Sequence, residues 1–325
     1  MVCGPTAVAA QTPGDPTMTM PEHATDPLTG FFDVDRSAEI VAASLRNTAD
    51  PRLRRILESL IRHLHAFVKD VRPTVDEWAA AIAFLTATGQ RCDDVRQEFI
   101  LLSDVLGVSM LVESLNHEAG GGLTEATVEG PFHMIDSPER ELGADINVSA
   151  EPGEPCLVTG RVVDDAGTPV AGAAVDVWQA NSRGFYDVQR PEEMPPGELR
   201  GLFRTDAGGR FHFRTIVPAH YPIPTDGPVG ELLTATGRHG FRPAHVHFAV
   251  SAPGMRPLTT HVFVNGSPYL DSDAVFGVKR SLIVDFAPVD DPGRAASMGL
   301  PNPFRHADFP IVLHREEAPE PGATG

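Results

Sequence analysis

Two histidines in the segment Arg242-Pro243-Ala244-His245-Val246-His247-Phe248 are the most informative chemical groups in this sequence. Residues two apart in a strand project from the same face, so His245 and His247 would place two imidazoles side by side. Such a pair can bind one metal ion. Two ordinary strand histidines that hydrogen-bond to the protein are the alternative, and the spacing alone does not decide between them.

Any further ligands would be carboxylates or, less commonly, phenolates. The chain has three tyrosines, Tyr186, Tyr221 and Tyr269. Tyr186 follows a predicted strand at 174–178, and Tyr221 follows another at 210–215. Functional groups of β proteins commonly lie in such loops. For each tyrosine the alternative is a half-buried ring whose hydroxyl hydrogen-bonds to the protein.

The second half of the chain has the pattern of an antiparallel sandwich or barrel, which would position these loops and strands. Short runs that alternate or are rich in β-branched residues are separated by Gly, Pro and Asp, without helical pattern between them. The predicted strands are 157–163, 174–178, 210–215, 245–250, 258–264 and 282–286.

Before the run of three glycines the pattern is helical. Apolar residues over 53–71 recur at steps of three and four, and Pro73 ends that helix. Thr74 and Glu77 form a capping box that opens a second helix. The segment 98–113 is apolar on most sides, so we expect one buried helix there.

These patterns predict an α+β chain with four parts. A disordered leader occupies 1–30, a helical domain 31–125, an antiparallel β-sandwich 126–315 and a flexible tail 316–325.

Composition excludes some partners. Asp and Glu outnumber Lys and Arg by 44 to 26, a net charge of −18, which argues against a nucleic-acid partner. No apolar run approaches the ~20 residues that a membrane span needs. Cys3, Cys92 and Cys156 show no pairing pattern, and no signal peptide is evident, so we expect a cytoplasmic protein.

Several motifs, taken together with these four candidate ligands, resemble one known family. They are Gly130-Pro131-Phe132, Trp178-Gln179-Ala180-Asn181, Arg200-Gly201, Phe203-Arg204-Thr205-Asp206, the run from Arg242 to Phe248, and Leu258-Thr259-Thr260. Their order and spacing resemble the intradiol ring-cleavage dioxygenases, from about residue 31 to 314. The match of several motifs is far more specific than the two histidines alone.

The resemblance implies that Tyr186, Tyr221, His245 and His247 bind one non-haem ferric ion. Two phenolates are hard, anionic donors that favour Fe(III), and two neutral imidazoles complete the protein ligands. Arg242 would lie in the site and stabilise anionic substrate, whereas a surface charge at a strand entry is the alternative.

The resemblance also implies the reaction. An aromatic diol binds through both oxygens and displaces Tyr221, which acts as a base, and O₂ then cleaves the ring between the two hydroxyl-bearing carbons. Catechol, cleaved to cis,cis-muconate, is one substrate of the family.

Two residues indicate a different substrate, hydroxyquinol (1,2,4-trihydroxybenzene), whose product is 3-hydroxy-cis,cis-muconate (maleylacetate). Catechol-cleaving members usually carry Gln after Leu-Thr-Thr, whereas this chain has His261, which resembles the hydroxyquinol branch. Asp104, in an apolar helix, would bind the third hydroxyl unless it faces solvent. Besides Arg242 and His261, the resemblance places these residues in the substrate pocket: Leu101, Asp104, Val128, Gly130, Pro131, Phe132, Ile223, Pro224 and Val275.

Two other functions remain open from the residues alone. A non-catalytic β-sandwich binding module leaves both histidines, both tyrosines and Arg242 without a role. An Fe(II) oxygenase using His245, His247 and a carboxylate leaves the tyrosines unexplained.

The family resemblance implies a homodimer through the helical domain, with phospholipid in an apolar tunnel there. A monomeric helical cap would show much the same sequence pattern.

Overall fold

A helical region comes first in this protein, and a region of strands with two further helices follows. A computed structural model describes residues 31–93, 96–117, 122–134 and 136–316. The predicted leader and the tail after its first residue lie outside the described residues. The chain divides into two compact units, Met1–Ala81 and Ile82–Gly325. The predicted domain boundaries stay predictions.

The first unit contains α1 (Ser37–Ala43) and α2 (Pro51–Val71). Asp50 caps α2 by accepting two backbone N–H groups at 2.7 and 3.2 Å, which favours helix initiation. Arg72 adopts the left-handed conformation (φ 51°) and ends the helix before Pro73. The predicted helix over 53–71 is confirmed.

The next helix, α3 (Val75–Gln90), begins at the predicted capping box. The Thr74 backbone N–H donates to Glu77 Oε2 at 2.7 Å, and the Glu77 N–H donates to Thr74 Oγ1 at 3.2 Å. Among the described residues no helix is both long and apolar enough to cross a membrane.

The prediction of one buried helix at 98–113 is wrong. Two helices, α4 (Glu98–Val105) and α5 (Val108–Asn116), are separated at Gly107, whose φ of 72° breaks the helical path. Several large apolar side chains of this region are about half exposed: Phe99, Ile100, Leu111 and Leu115. A segment that is apolar on all sides does not by itself determine which side meets the core.

Twelve strands and two further helices follow within the described residues. They are β1 (Pro155–Asp164), β2 (Ala174–Gln179), β3 (Arg200–Arg204), β4 (Arg210–Ile216), β5 (Tyr221–Pro222), α6 (Pro228–Ala235), β6 (Phe241–Arg242), β7 (His245–Ser251), β8 (Leu258–Val264), β9 (Ile283–Val284), β10 (Ala287–Val289), α7 (Pro292–Met298), β11 (Phe304–Asp308) and β12 (Ile311–Leu313).

The strands form two five-stranded sheets and one two-stranded ladder. In the first sheet, β1 pairs with β4, β11 and β12, and β10 pairs with β11; the second has the order β3-β2-β7-β8-β9. The sheets pack face to face, with the Phe203 and Phe213 rings 5.3 Å apart between them. The predicted sandwich is confirmed, although β1 pairs with β11 and β12, and β8 with β9, in parallel.

The predicted strands match closely where apolar and polar residues alternate. The strand predicted at 258–264 is β8, with the same bounds. The strand predicted at 282–286 is reduced to β9, because Arg280–Leu282 forms a 3₁₀ turn. The strand β3 was not predicted, because its sequence begins and ends with arginine.

Candidate metal centre

The two histidines lie on β7, the strand between β2 and β8 in the second sheet. Both rings are fully buried, and their Nε2 atoms are 3.1 Å apart. His245 Nδ1 donates to the Pro243 carbonyl oxygen at 2.7 Å. This bond fixes the tautomer, so the lone pair of Nε2 faces the site.

Tyr186 reaches the site from a tight loop after β2. The Asn181 side-chain oxygen accepts the N–H groups of two loop residues, at 2.9 and 3.0 Å. Gly184 has a φ of 83°, and a Cβ there would lie 2.9 Å from the Tyr221 Cβ. Glycine therefore lets the two tyrosine-bearing loops approach each other.

Tyr221 lies on β5, in the two-stranded ladder. The ladder partner of Tyr221 on β6 is Arg242. One short element therefore presents both a phenol and a guanidinium, and both are buried.

Four donor atoms converge at one point. The Tyr186 hydroxyl oxygen lies 3.0 Å from His247 Nε2 and 3.3 Å from the Tyr221 oxygen, which lies 3.3 Å from His245 Nε2. Donors about 2 Å from a metal ion and at right angles to one another are about 3 Å apart. The arrangement fits one small ion surrounded by four ligands.

The charges of these groups also fit a metal cation. Burial lowers the pKa of both histidines well below the ordinary value, so the imidazoles are neutral and can donate lone pairs. Burial and the neighbouring Tyr221 raise the pKa of Tyr186 well above its ordinary value. A bound cation would be needed to make the Tyr186 phenol a phenolate at neutral pH.

A third buried histidine, His261, lies opposite His247 on β8. The ring centroids of these two residues are 4.2 Å apart, and His261 Nδ1 is 2.5 Å from Thr127 Oγ1. Its Nε2 is buried without a hydrogen-bond partner in the part of the chain that the structure describes. His261 therefore lies beside the two predicted ligands of β7, and the three histidines could also hold a metal together.

Arg242 is held by a carboxylate that the sequence did not reveal. Its Nε and Nη2 donate to the two oxygens of Asp273 at 3.2 and 3.4 Å, and both side chains are almost fully buried. Burial lowers the pKa of Arg242, but Asp273 and the tyrosines outweigh it, so the guanidinium stays charged. The same carboxylate accepts the N–H groups of Val275 and Gly277, at 3.3 and 3.0 Å.

The pocket residues predicted from the resemblance fall into two groups. Leu101, Ile223 and Val275 belong to one apolar cluster with neighbouring residues of α4 and α6. Asp104 is half-buried, and burial raises the pKa of its carboxyl, against the opposing effects of Ser109 and Arg242.

The other group lies against the predicted ligands Tyr186 and His247. The Phe132 ring stacks on Tyr186, with centroids 4.7 Å apart, and a Cβ on Gly130 would lie 3.3 Å from the His247 ring. Pro131 between them is exposed. The two remaining pocket residues, Val128 and Pro224, are half-buried.

A second buried ion pair was also missed. Arg200 donates to Asp187 Oδ1 from Nε and Nη2, at 2.8 and 2.6 Å. Asp187 directly follows Tyr186, so the pair anchors the loop that carries this phenol. The sequence signals were the adjacency of Asp187 to Tyr186 and the presence of Arg200 in a matched motif.

Comparison with known proteins gives a consistent result. The family model described as "Dioxygenase" matches residues 128–314, and the model "Catechol dioxygenase N terminus" matches residues 50–124.

Individual relatives are also similar over most of their length. A hydroxyquinol 1,2-dioxygenase of Rhizobium sp. (strain MTP-10005) is 53% identical over 88% of this chain and 97% of its own. A 6-chlorohydroxyquinol 1,2-dioxygenase of Cupriavidus pinatubonensis is 55% identical over 78% of this chain and 92% of its own. The solved structure of hydroxyquinol 1,2-dioxygenase from Pseudomonas putida DLL-E4 has a TM-score of 0.82 and 48% identity, covering 87% of this chain and 99% of that one.

Proposed function

This chain belongs to the intradiol ring-cleavage dioxygenases, and from that premise we propose that it cleaves hydroxyquinol between its two adjacent hydroxyl-bearing carbons. Both atoms of O₂ enter the product, 3-hydroxy-cis,cis-muconate (maleylacetate). The C–C bond breaks, each of its carbons becomes a carboxyl carbon, and O₂ is the oxidant.

The observation that carries the proposal is the convergence of two phenols and two neutral imidazoles. Their donor atoms lie 3.0 to 3.3 Å apart, in a buried site beside a fixed guanidinium. A non-catalytic binding module gives no reason for this arrangement, and an Fe(II) site of two histidines and a carboxylate leaves both phenols without a role.

We infer that Tyr186, Tyr221, His245 and His247 hold one ferric ion per chain. When bound, Fe(III) would draw electron density from the diol and so prepare its ring to react with O₂. Hard anionic phenolates favour the trivalent ion.

Within this site the protein moves a proton and stabilises charge. In its phenolate form, Tyr221 Oη would accept a proton from a substrate hydroxyl as the diol binds and become a neutral phenol. Tyr221 is paired with Arg242 in the short β5–β6 ladder. The Arg242 guanidinium, fixed by Asp273, stabilises the negative charge of the bound diol. Phe132 and the apolar cluster of Leu101, Ile223 and Val275 exclude water from the ring.

Hydroxyquinol differs from catechol by one hydroxyl, and Asp104 supports the larger substrate. Its half-buried carboxylate offers an acceptor to a third hydroxyl, and the charge of Arg242 opposes the rise of its pKa on burial. Two relatives above half identity are named for hydroxyquinol and 6-chlorohydroxyquinol. A site that binds a substrate hydroxyl discriminates strongly against the analogue lacking it.

The test is a visible spectrum followed by O₂ uptake. Purified protein loaded with Fe(III) should be red from phenolate charge transfer, its band should shift with hydroxyquinol, and O₂ uptake should be faster than with catechol. Faster O₂ uptake with catechol would support intradiol cleavage but contradict hydroxyquinol as the preferred substrate. A colourless, iron-loaded protein that consumes no O₂ with either diol would reject the function.

Tyr221→Phe is the matched variant, because it removes only the hydroxyl. It should alter the charge-transfer band and lower kcat by about 100-fold, as expected for loss of an acid–base group. An unchanged band with full activity would contradict the ligand role of Tyr221.

We also propose a homodimer formed through the helical region, with phospholipid in its apolar interface. The support is an exposed apolar stripe along α2, at spacings of three and four: Leu53, Ile56, Leu60, Leu64, Phe67 and Val71. A helix face of this kind normally packs on a partner. Mass spectrometry of an organic extract of the purified protein would detect the lipid.

For the cellular site we propose the cytoplasm. Cys92 and Cys156 are both free thiols in the part of the chain that the structure describes, which is consistent with a reducing compartment. Cell fractionation followed by immunoblotting tests this.

A further inference from the structure

A cluster of three charged side chains lies behind the pocket wall. His133 Nδ1 is 2.9 Å from Glu129 Oε1, and His133 Nε2 is 3.1 Å from Asp176 Oδ2. Because each ring nitrogen faces a carboxylate, both carry hydrogens and the ring is an imidazolium. The partners Asp176 and Glu129 raise the pKa of His133 to about 9, against the effect of burial.

The cluster joins two elements that are distant in sequence. Glu129 and His133 flank the segment Gly130–Phe132, whereas Asp176 lies on β2, 43 residues from His133. Asp176 and Trp178 share one face of β2. The His133 ring packs on Trp178, with centroids 4.6 Å apart.

The segment between the two charged residues contacts the metal-binding side chains. Gly130 approaches the His247 ring so closely that an added Cβ would be 3.3 Å from Cε1. Phe132 stacks on Tyr186, with centroids 4.7 Å apart. Trp178 stacks on His247 at 4.6 Å and 14°, so His133, Trp178 and His247 form consecutive ring contacts.

The alternative interpretation of the His133 cluster is a surface ion pair that affects only its own loop. Such exposed pairs contribute little. The His133 side chain is only 20% exposed and Asp176 only 15%, and the residues between Glu129 and His133 form part of the proposed pocket. Losing the imidazolium would leave two carboxylates close together without a counter-ion, so the segment would move away from β2.

We propose that His133 is a positioning residue whose imidazolium bridges Glu129 and Asp176 and holds the Gly130–Phe132 wall against His247 and Tyr186. The bridge thereby sets the affinity of the pocket for its aromatic substrate. The substrate part of this inference rests on the proposed function, whereas the positioning part does not.

The first test is hydrogen exchange measured by mass spectrometry on the full-length, iron-loaded protein. In His133→Gln, amide exchange in peptides covering 129–133 should be faster at pH 7, and Asp176→Asn should have the same effect. The matched control is His117→Gln, which removes an imidazole directly after α5 that lies 2.8 Å from Glu113 at the same four-residue spacing. The control should leave this exchange unchanged.

The second test is steady-state kinetics with hydroxyquinol at pH 7. His133→Gln should raise KM about tenfold, as for partners that support metal-site residues, with a smaller change in kcat. The His117→Gln control should keep both constants. A loss of kcat with KM unchanged would contradict a role in holding the pocket wall.

The third test uses pH and needs no substrate. The charged groups that face His133 are Glu129 from its own segment and Asp176 from β2. The pKa of His133 rises from 6.5 to about 9 in the folded protein. The charged bridge therefore contributes its full stabilisation below pH 6.5, and this contribution is lost as the pH rises through about 9. The difference in urea-unfolding midpoint between wild type and His133→Gln should therefore shrink between pH 7 and 10.

The outcomes separate the two proposals. Unchanged exchange at 129–133 in both variants, or a midpoint difference that does not vary with pH, would overturn the role of His133. Faster exchange together with no turnover of any diol by the wild type would reject the proposed function and keep the positioning role.

Discussion

Arg242, the proposed charge-stabilising residue, carries a charge that would destabilise the fold if it were unpaired. Its guanidinium is buried beside two phenols, and the charge is tolerated because Asp273 accepts two hydrogen bonds from it. A Cβ on Gly277 would lie 2.9 Å from Nη2, so this glycine leaves room for the guanidinium. Removing one partner of such a pair leaves an uncompensated buried charge.

Asp273→Asn should therefore affect both stability and activity. The free energy of unfolding should fall by about 3 kcal/mol. The value of kcat/KM should fall about 100-fold as Arg242 loses its orientation. Urea denaturation and O₂ uptake measure the two effects. The exposed Asp271→Asn is the matched control, expected within about 0.5 kcal/mol of wild type; equal behaviour of the two variants would contradict the role of Asp273.

Asp104 is the residue that we propose to set the substrate preference. Asp104→Asn keeps the shape of the side chain and removes its charge. Because a hydrogen bond to a charged group would be lost, kcat/KM for hydroxyquinol should fall roughly tenfold to a hundredfold. The value for catechol should change little. Competition assays with both diols measure the ratio, and a ratio equal to that of the wild type would show that another residue selects the substrate.

At the scale of the secondary-structure elements, the packing of each helix determines which apolar side chains stay exposed to solvent. The helix α2 has no buried residue, although its apolar residues follow helical spacing as regularly as those of a core helix. The sequence pattern identifies the stripe, but only the structure shows that the first unit leaves it uncovered.

Leu60→Glu should disrupt the proposed dimer by placing a carboxylate in the middle of this stripe. Sedimentation velocity should show a shift from dimer to monomer. The control is Arg62→Glu, which introduces the same carboxylate two residues further, on another side of the helix. A wild-type protein that sediments as a monomer, or a dimeric Leu60→Glu variant, would contradict the proposal.

The burial of a thiol on the central strand β1 leads to a separate prediction. Cys156 on this strand is fully buried between the sheets, and burial raises the pKa of its thiol to about 12. Iodoacetamide at pH 8 should leave Cys156 unmodified in the native protein and alkylate it in urea, because the thiolate is the reactive form. Peptide mapping measures both; alkylation of native Cys156 at the rate of half-buried Cys92 would indicate opening of this sheet.

At the scale of the whole molecule, the proposed ferric ion would join the loop after β2, the short strand β5 and the strand β7. Tyr186 and His247 are 61 residues apart in the chain, and Tyr221 and His245 are 24 apart. A ligand that binds only the folded state raises its stability.

Removing the iron should therefore lower the free energy of unfolding. The loss should be about 3 kcal/mol for a metal present at a hundredfold its dissociation constant. Reduction with chelation, followed by thermal denaturation and then by reloading with Fe(III), measures it. An identical melting temperature before and after removal would show that the four side chains do not hold the metal in the folded protein.

Much of this architecture was predictable from local pattern. The capping box at Thr74 and Glu77, the helix over 53–71 and the strand 258–264 depend on hydrogen bonds and side-chain periodicity within a few residues. The alternation His245-Val246-His247 likewise placed both imidazoles on one face. Matched motifs then identified the family.

Contacts between distant segments were not predictable in this way. Neither the pairing of Arg242 with Asp273 nor the bridge from His133 to Asp176 follows from sequence spacing. The break at Gly107 was missed, because a glycine inside an apolar run is compatible with a continuous helix until its φ is known.

The sequence by itself predicted which side chains would be ligands, and it determined the alternation that aligns the two histidines and the sandwich that carries them. Only the tertiary structure decided that the Tyr186 and Tyr221 oxygens lie 3.3 Å apart and that carboxylates fix Arg242 and His133. The physical reason is range. Backbone sterics and the alternation of side chains along a strand act over a few residues. The packing of two sheets determines which side chains, distant in sequence, come together in the same buried volume.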